Sequence, residues 1–135
     1  MAAIDKADEA QLLATIDRDQ IPREDTSLDL MAALPPLTRD GGTITVAVAS
    51  RPADGAAVLL VMSREKAEAE GMRPLARIMS LAVAGVDPKL MGLGPVPATQ
   101  KALARAGLGI GDIGLAEINE AFAVVAIVAM RELGL

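Results

Sequence analysis

The sequence predicts a layered α/β fold, because stretches typical of strands alternate with stretches typical of helices. Two of the predicted strands carry apolar residues on both faces, as strands do in a sheet that is covered on both sides. Hydrophobic residues make up 52% of the 135 residues, which is enough for a core at this length. The last predicted helix ends close to Leu135 with no strand after it, so we expect this stretch to belong to a larger fold.

Four strands are predicted from runs of β-branched and apolar residues bounded by turn-forming residues. A turn at Asp40-Gly41-Gly42 precedes the first, and the second, AAVLLVM, has no polar residue, which is typical of a strand buried on both faces. The predicted strands cover residues 43–49, 56–62, 75–86 and 113–118.

Helices are predicted where a capping residue precedes a helical pattern. Thr26 is predicted to cap a helix that ends before Pro35, and Ser63 to cap a short helix over residues 64–70. A third helix is expected to begin at Pro97, since proline is favoured in a first turn, and to end at Gly107. The last covers residues 122–133, residues 91–97 are expected to be irregular, and a short helix is possible within residues 1–20.

The composition excludes several kinds of chemistry. The chain has no cysteine and no histidine, so disulfides, thiolate nucleophiles, imidazole bases and the common metal-ligand sets are excluded, and no metal is expected. Acid–base catalysis would have to use Asp, Glu, Lys or a bound water. A net charge of −5 and a single aromatic residue argue against nucleic-acid binding. The polar N-terminus and the short apolar runs predict neither a signal peptide nor a membrane span, and we expect a cytoplasmic protein.

Polar residues at a predicted strand-to-helix junction are the candidates for chemistry. Glu117 and Glu120 flank Asn119; a carboxylate pair can serve acid–base catalysis, although a glutamate before a helix more often stabilises its N-terminus. The Asn119 amide can bind water or an oxyanion at the edge of a cleft. The Gly- and Pro-rich stretch 91–97 is compatible both with a plain connection and with a loop that a ligand approaches closely.

Two stretches of the chain form a recognisable pattern, MGLGPVPATQKALARAGL (91–108) and DIGLAEINEAFA (112–123), and two more precede them, TITVAVASRPADGAAVLLVMS (43–63) and RPLARIMSLAVAGVDP (73–88). Together these stretches resemble the thiolase family, which contains acetyl-CoA acetyltransferases and 3-ketoacyl-CoA thiolases. The resemblance extends over about residues 16–135, which correspond to a middle third of a typical family member.

The resemblance implies a thiolase-like layered α-β-α architecture that is incomplete. The chain would hold the end of the N-terminal half and the start of the C-terminal half of the family fold. In that division, residues 1–40 end a loop region, residues 41–90 form the last strands of the N-terminal half, and residues 91–135 begin the C-terminal half.

The resemblance also implies roles for individual residues. Asn119 matches the asparagine that holds a water beside the reacting thioester carbonyl. Ser50 matches a serine that contacts the pantetheine arm of coenzyme A, and Met91, Ala121 and Phe122 match residues that line the pantetheine tunnel.

The chain departs from the family pattern around the proposed pantetheine contact. The family's Gly-Asn-Ala-Ser-Gly reads Ala47-Val48-Ala49-Ser50-Arg51 here. Leu37 replaces a tunnel aromatic and Val125 replaces a glutamine. The family's nucleophilic cysteine and its catalytic histidine and second cysteine have no counterpart in the chain.

Two classes of function are therefore expected from the sequence. The first is a segment of a thiolase-type acyltransferase, which condenses or cleaves acyl-CoA thioesters only together with residues from elsewhere. The second is a non-catalytic module that binds coenzyme A or another subunit. In both cases we expect no bound cofactor, a coenzyme A thioester as substrate or ligand, and association with a second copy or with a complementing thiolase segment.

Overall fold

The computed structural model describes residues 18–19, 21–38 and 41–135. The chain divides into two compact units, Met1–Ala33 and Leu34–Leu135. The possible helix within residues 1–20 lies almost entirely outside the described residues. The described residues form four α-helices: α1 (Leu28–Ala32), α2 (Arg64–Ala69), α3 (Pro95–Ala106) and α4 (Ala123–Leu133). They also form two 3₁₀ helices, η1 (Pro88–Leu93) and η2 (Ile110–Asp112).

Helix α1 in the first unit begins one residue later than expected. Ser27, not Thr26, is the N-cap: its hydroxyl accepts a hydrogen bond from the Leu30 N–H at 3.2 Å. The Thr26 hydroxyl instead donates to the Arg23 carbonyl at 3.2 Å. Both residues can cap a helix, so the sequence does not distinguish them.

Helix α2 confirms the predicted cap at Ser63, whose hydroxyl accepts from the Lys66 N–H at 3.2 Å. The helix ends at Ala69, and Gly71 follows with φ at +64°, a conformation that glycine adopts at little cost. Hydrogen bonds from its own backbone N–H and from the Ser63 hydroxyl lower the pKa of Glu65. The predicted short helix is therefore confirmed, together with the residue that begins it.

Helices η1, α3 and α4 contact one another and form the packed part of the second unit. Residues 91–97 were expected to be irregular, but they contain the end of η1 and the start of α3, which begins at Pro95 and not at Pro97. Proline has no backbone N–H, and the N–H groups in the first turn of a helix have no partner within the helix. Pro95 and Pro97 therefore both fit in the first turn of α3. Gly107 and Gly134 end α3 and α4 in the left-handed conformation, as the sequence predicts.

The four predicted strands are not present as paired strands in the described residues. Residues 46–48 form a turn, and residues 56–62, 76–86 and 115–118 belong to no helix and no ladder. The pairing observed is a single antiparallel bridge between Ala49 and Phe122. A strand is stabilised by hydrogen bonds to a neighbouring strand, and strand-forming residues without such a neighbour do not make a sheet.

Residues 80–86 nevertheless lie along α3 in a pattern that alternates with a period of two. Ser80, Ala82, Ala84 and Val86 are half-buried, whereas the residues between them are exposed. The Ser80 hydroxyl donates to the Ala102 carbonyl at 2.7 Å. Lys101 donates to the Val83 carbonyl at 3.2 Å, and Arg105 donates to the Leu81 carbonyl. Side chains of the helix therefore bind main-chain groups that a neighbouring strand would otherwise bind.

Few apolar side chains of the described residues are buried. Ala67, Val125 and Ala129 are buried, with Val125 5% and Ala129 0% exposed. Leu75 and Val58 are fully exposed. In the described part of the chain, no helix is both long enough and apolar enough to cross a membrane. The predicted core residues of the strands thus remain accessible to other polypeptide segments.

We predict that Val125→Ala lowers the free energy of unfolding by about 1–2 kcal/mol, because it removes two methyl groups from a packed site. Val124→Ala is the matched control: Val124 is in the same helix but is 46% exposed, so its truncation should change the free energy by less than about 0.5 kcal/mol. Urea unfolding followed by far-ultraviolet circular dichroism measures both. Equal effects of the two substitutions would show that α4 is not packed as described.

Candidate functional site

The candidate site is centred where the segment at Ser50 meets the start of α4. The Ser50 N–H donates to the Ala121 carbonyl at 3.0 Å, and the Ala123 N–H donates to the Val48 carbonyl at 2.9 Å. These bonds enclose the antiparallel bridge between Ala49 and Phe122. Three of the predicted site residues, Ser50, Ala121 and Phe122, are thereby brought together.

The Ser50 side chain is available for a ligand. Ser50 is exposed, and its structural role is fulfilled by its main-chain N–H, which is bonded to Ala121. A serine hydroxyl can donate one hydrogen bond and accept others. Arg51 follows it directly and is also exposed, so a cationic side chain is next to Ser50 in the chain.

Met91 belongs to an element that packs on the same helix. It lies in η1, which contacts α4, and its side chain is 58% exposed. The neighbouring Gly92 approaches α4 closely: a Cβ atom there would lie 3.4 Å from Cγ2 of Val125. The glycine-rich stretch therefore permits close packing of η1 against the helix, and Met91 remains open to a ligand.

Asn119 lies three residues before Phe122 of the bridge, in the segment that leads into α4. It is exposed, and no hydrogen bond from its side chain to another described residue is present. The predicted strand before it does not form, so Asn119 does not lie at a strand end as expected. Glu117 and Glu120, on either side, are exposed as well. Within the described ranges, no three Asp or Glu residues gather into a group able to hold a metal ion.

The start of α4 is an electropositive end without a side-chain cap. Its N-cap is Phe122, in an extended conformation, and the first turn contains no acidic residue. The first N–H of the helix, at Ala123, is instead bonded to the Val48 carbonyl at 2.9 Å, which meets part of the positive charge of the helix N-terminus.

An apolar groove lies beside this site and was not predicted from the sequence. It encloses about 620 Å³ between the segment that follows α3 and the outer face of α4. None of the five predicted site residues lines it. The lining residues are mostly apolar: Ile110, Ile113, Gly114, Leu115, Ala116, Glu117, Ile118, Ala126, Met130, Gly134 and Leu135. In the sequence, the only indication of this groove is the recurrence of isoleucine at positions 110, 113 and 118.

Val48, Ala49, Gly92 and Val125 also belong to the site and were not predicted as functional. Val48 and Ala49 contribute main-chain groups only, which no side-chain motif reveals. Val125 is buried, and its Cγ2 lies next to Gly92.

Two family models match the chain: the thiolase N-terminal domain over residues 2–65 and the thiolase C-terminal domain over residues 72–135. The chain is 51% identical over 124 residues to the 3-ketoacyl-CoA thiolase of Chromohalobacter salexigens, covering 91% of the chain and 32% of that protein. It is 50% identical over 118 residues to the acetyl-CoA acetyltransferase of Syntrophomonas wolfei, covering 87% of the chain and 30% of that protein.

Solved structures of thiolases match as well. The Bacillus anthracis acetyl-CoA acetyltransferase superposes with a TM-score of 0.83 at 47% identity, over 87% of the chain and 30% of the enzyme. Human mitochondrial 3-ketoacyl-CoA thiolase in complex with CoA superposes with a TM-score of 0.75 at 40% identity, over 84% of the chain and 29% of the enzyme. These matches confirm the predicted thiolase-like α/β fold class.

The chain thus spans about a third of the length of the relatives that it matches. Its two halves correspond to the two thiolase domains, and its identity to thiolases is close to one residue in two. The chain belongs to the thiolase family.

Proposed function

We propose that this chain forms part of the substrate site of a thiolase-type acyltransferase, which condenses acyl-CoA thioesters or cleaves 3-ketoacyl-CoA. The observation that carries the proposal is the pair of main-chain hydrogen bonds, Ser50 to Ala121 and Ala123 to Val48, that encloses the bridge between Ala49 and Phe122. It joins the two residue groups whose family counterparts contact the pantetheine arm. The proposal includes the division of the chain into the end of a loop region (residues 1–40), the last strands of the N-terminal half (41–90) and the start of the C-terminal half (91–135).

In this proposal the chain binds the pantetheine arm and polarises the thioester, and residues outside the chain carry out the covalent steps. It contains no cysteine and no histidine, so a thiolate nucleophile and an imidazole base must come from residues outside these 135. The Ser50 hydroxyl, the Met91 thioether and the Phe122 ring contact the pantetheine arm. The Asn119 amide holds a water that donates a hydrogen bond to the thioester oxygen as it gains negative charge.

The exposure of the Asn119 side chain agrees with a site that is completed by residues outside this chain. An unpaired amide in water is fully solvated and costs nothing, whereas the same amide in a closed site must bind a partner. Asn119 therefore acts when the remaining segments of the fold enclose it. The proposed substrate is a coenzyme A thioester, with no other cofactor bound.

The alternative is a module that binds coenzyme A, or a subunit, without catalysis. The observation in its favour is the complete absence of cysteine and histidine. The two functions differ in one respect: only the first requires Asn119. Affinity for coenzyme A and catalytic turnover must therefore be measured separately.

We predict that Ser50→Ala raises the Kd for coenzyme A about three- to tenfold, because it removes one hydrogen bond to the ligand. Isothermal titration calorimetry on the 135-residue chain measures this. Thr38→Ala, which removes the hydroxyl of another exposed residue, is the matched control, and Asn119→Ala should also leave the Kd unchanged. Equal affinities for the Ser50 and Thr38 variants would contradict the assignment of Ser50.

We predict that Asn119→Ala lowers kcat about 10²-fold or more, with little change in KM, in a thiolase that carries this segment. The matching third of the Chromohalobacter salexigens enzyme is replaced by this chain, and thiolytic cleavage of a 3-ketoacyl-CoA is followed. Gln100→Ala, an exposed amide on α3, is the control. A fully active Asn119→Ala chimera would reject the catalytic role, and an inactive parent chimera that still binds coenzyme A would favour the non-catalytic module.

A further inference from the structure

Ser80 joins the extended segment of residues 80–86 to helix α3 through a hydrogen bond from its side chain. The hydroxyl donates to the Ala102 carbonyl at 2.7 Å, and Ser80 is half-buried. This contact lies on the face of the segment that α3 covers and not along an edge. It therefore does not depend on whether another strand lies beside the segment.

The other residues on this face do not fix the position of the segment along the helix. The half-buried residues of the face are Ser80, Ala82, Ala84 and Val86. A slip of two residues, about 6–7 Å, keeps the same face toward α3 and exchanges one alanine for the other. Ser80 alone on this face has a side-chain hydrogen-bond donor, so its bond to Ala102 distinguishes the observed register from a slipped one.

The bonds from Lys101 and Arg105 do not distinguish the registers in this way. They go to the Val83 and Leu81 carbonyls, which are main-chain groups. An extended chain presents an equivalent carbonyl every two residues, about 7 Å apart. After a slip of two residues each long side chain would meet the next such carbonyl, so these bonds stabilise the contact without selecting its register.

The register of the segment decides where η1 lies. Only Asp87 separates the segment from η1, and only Gly94 separates η1 from α3. The two ends of this connection are close, since a Cβ atom on Gly94 would lie 4.0 Å from Cγ2 of Val86. A connection this short has no slack, so a shift of the segment along α3 moves η1 as well. Helix η1 contains Met91 and contacts α4.

We propose that Ser80 is a positioning residue for the coenzyme A site. Its bond to Ala102 holds residues 80–86 in one register on α3, and that register places Met91 beside α4, where the other proposed pantetheine contacts lie. Ser80 does not touch the ligand and acts through Met91. The inference rests on the proposed function for the role of Met91, whereas the placement of η1 by Ser80 is a property of the chain without ligand.

A double-mutant cycle tests whether Ser80 acts through Met91. Ser80→Ala and Met91→Ala should each raise the Kd for coenzyme A about three- to tenfold in isothermal titration calorimetry. Ser80→Ala introduced into the Met91→Ala chain should raise the Kd by less than about 1.5-fold, because the side chain that it positions has already been removed. Effects that simply multiply in the double variant would overturn the inference.

Ser63→Ala is the matched control, because the Ser63 hydroxyl also makes a structural hydrogen bond, which it accepts from the Lys66 N–H at 3.2 Å. Both serine variants should lower the midpoint of urea unfolding, but only Ser80→Ala should raise the Kd. In the chimeric thiolase, Ser80→Ala should raise KM about threefold or more with kcat unchanged, the reverse of Asn119→Ala. Equal Kd values for the two serine variants, or a fall in kcat, would contradict the positioning role.

A measurement without ligand separates this inference from the proposed function. Spin labels are attached at Leu90→Cys in η1 and Glu132→Cys in α4, two exposed positions in a chain that has no cysteine of its own. In electron paramagnetic resonance, Ser80→Ala should add a population displaced by up to about 7 Å, the length of two extended residues, and Ser63→Ala should not. An unchanged distance would overturn the inference. A distance that depends on Ser80 in a chain that does not bind coenzyme A would support the positioning and reject the proposed function.

Discussion

Two main-chain hydrogen bonds, between Ser50 and Ala121 and between Ala123 and Val48, hold the candidate site together. Main-chain bonds do not depend on which side chains the residues carry. The position of the segment at Ser50 therefore does not depend on the side chains of Ala47, Val48 and Arg51. The side chains around the contact are free to vary while the backbone that presents them is held.

A second constraint operates between residues 80–86 and α3. Lys101 and Arg105 are one helical turn apart, about 6 Å along the axis, and the Leu81 and Val83 carbonyls are about 7 Å apart in an extended chain. The two spacings match, so helix side chains bind successive carbonyls of the segment. In the described residues, an extended segment is thus bound by side chains of a helix.

These constraints separate the chain into a packed part and an open part. Helices η1, α3 and α4 contact each other, and Val125 and Ala129 are buried there. The strand-like stretch 56–62 carries its apolar side chains largely in solvent. Relatives of this chain are about three times its length, and its uncovered apolar residues are those that an α/β fold places inside a sheet. The proposed substrate contacts gather at the packed part, where the backbone is fixed.

The sequence by itself determined the local features: the Ser63 cap, the glycine ends at Gly107 and Gly134, and the family to which the chain belongs. The cap and the glycine ends depend on residues close together in the chain. The sequence also identified Ser50, Ala121 and Phe122 as candidates through resemblance. The tertiary structure decided that the predicted strands stay unpaired and that Ser50 is bonded to Ala121, because strand pairing and long-range contacts depend on which neighbours are present.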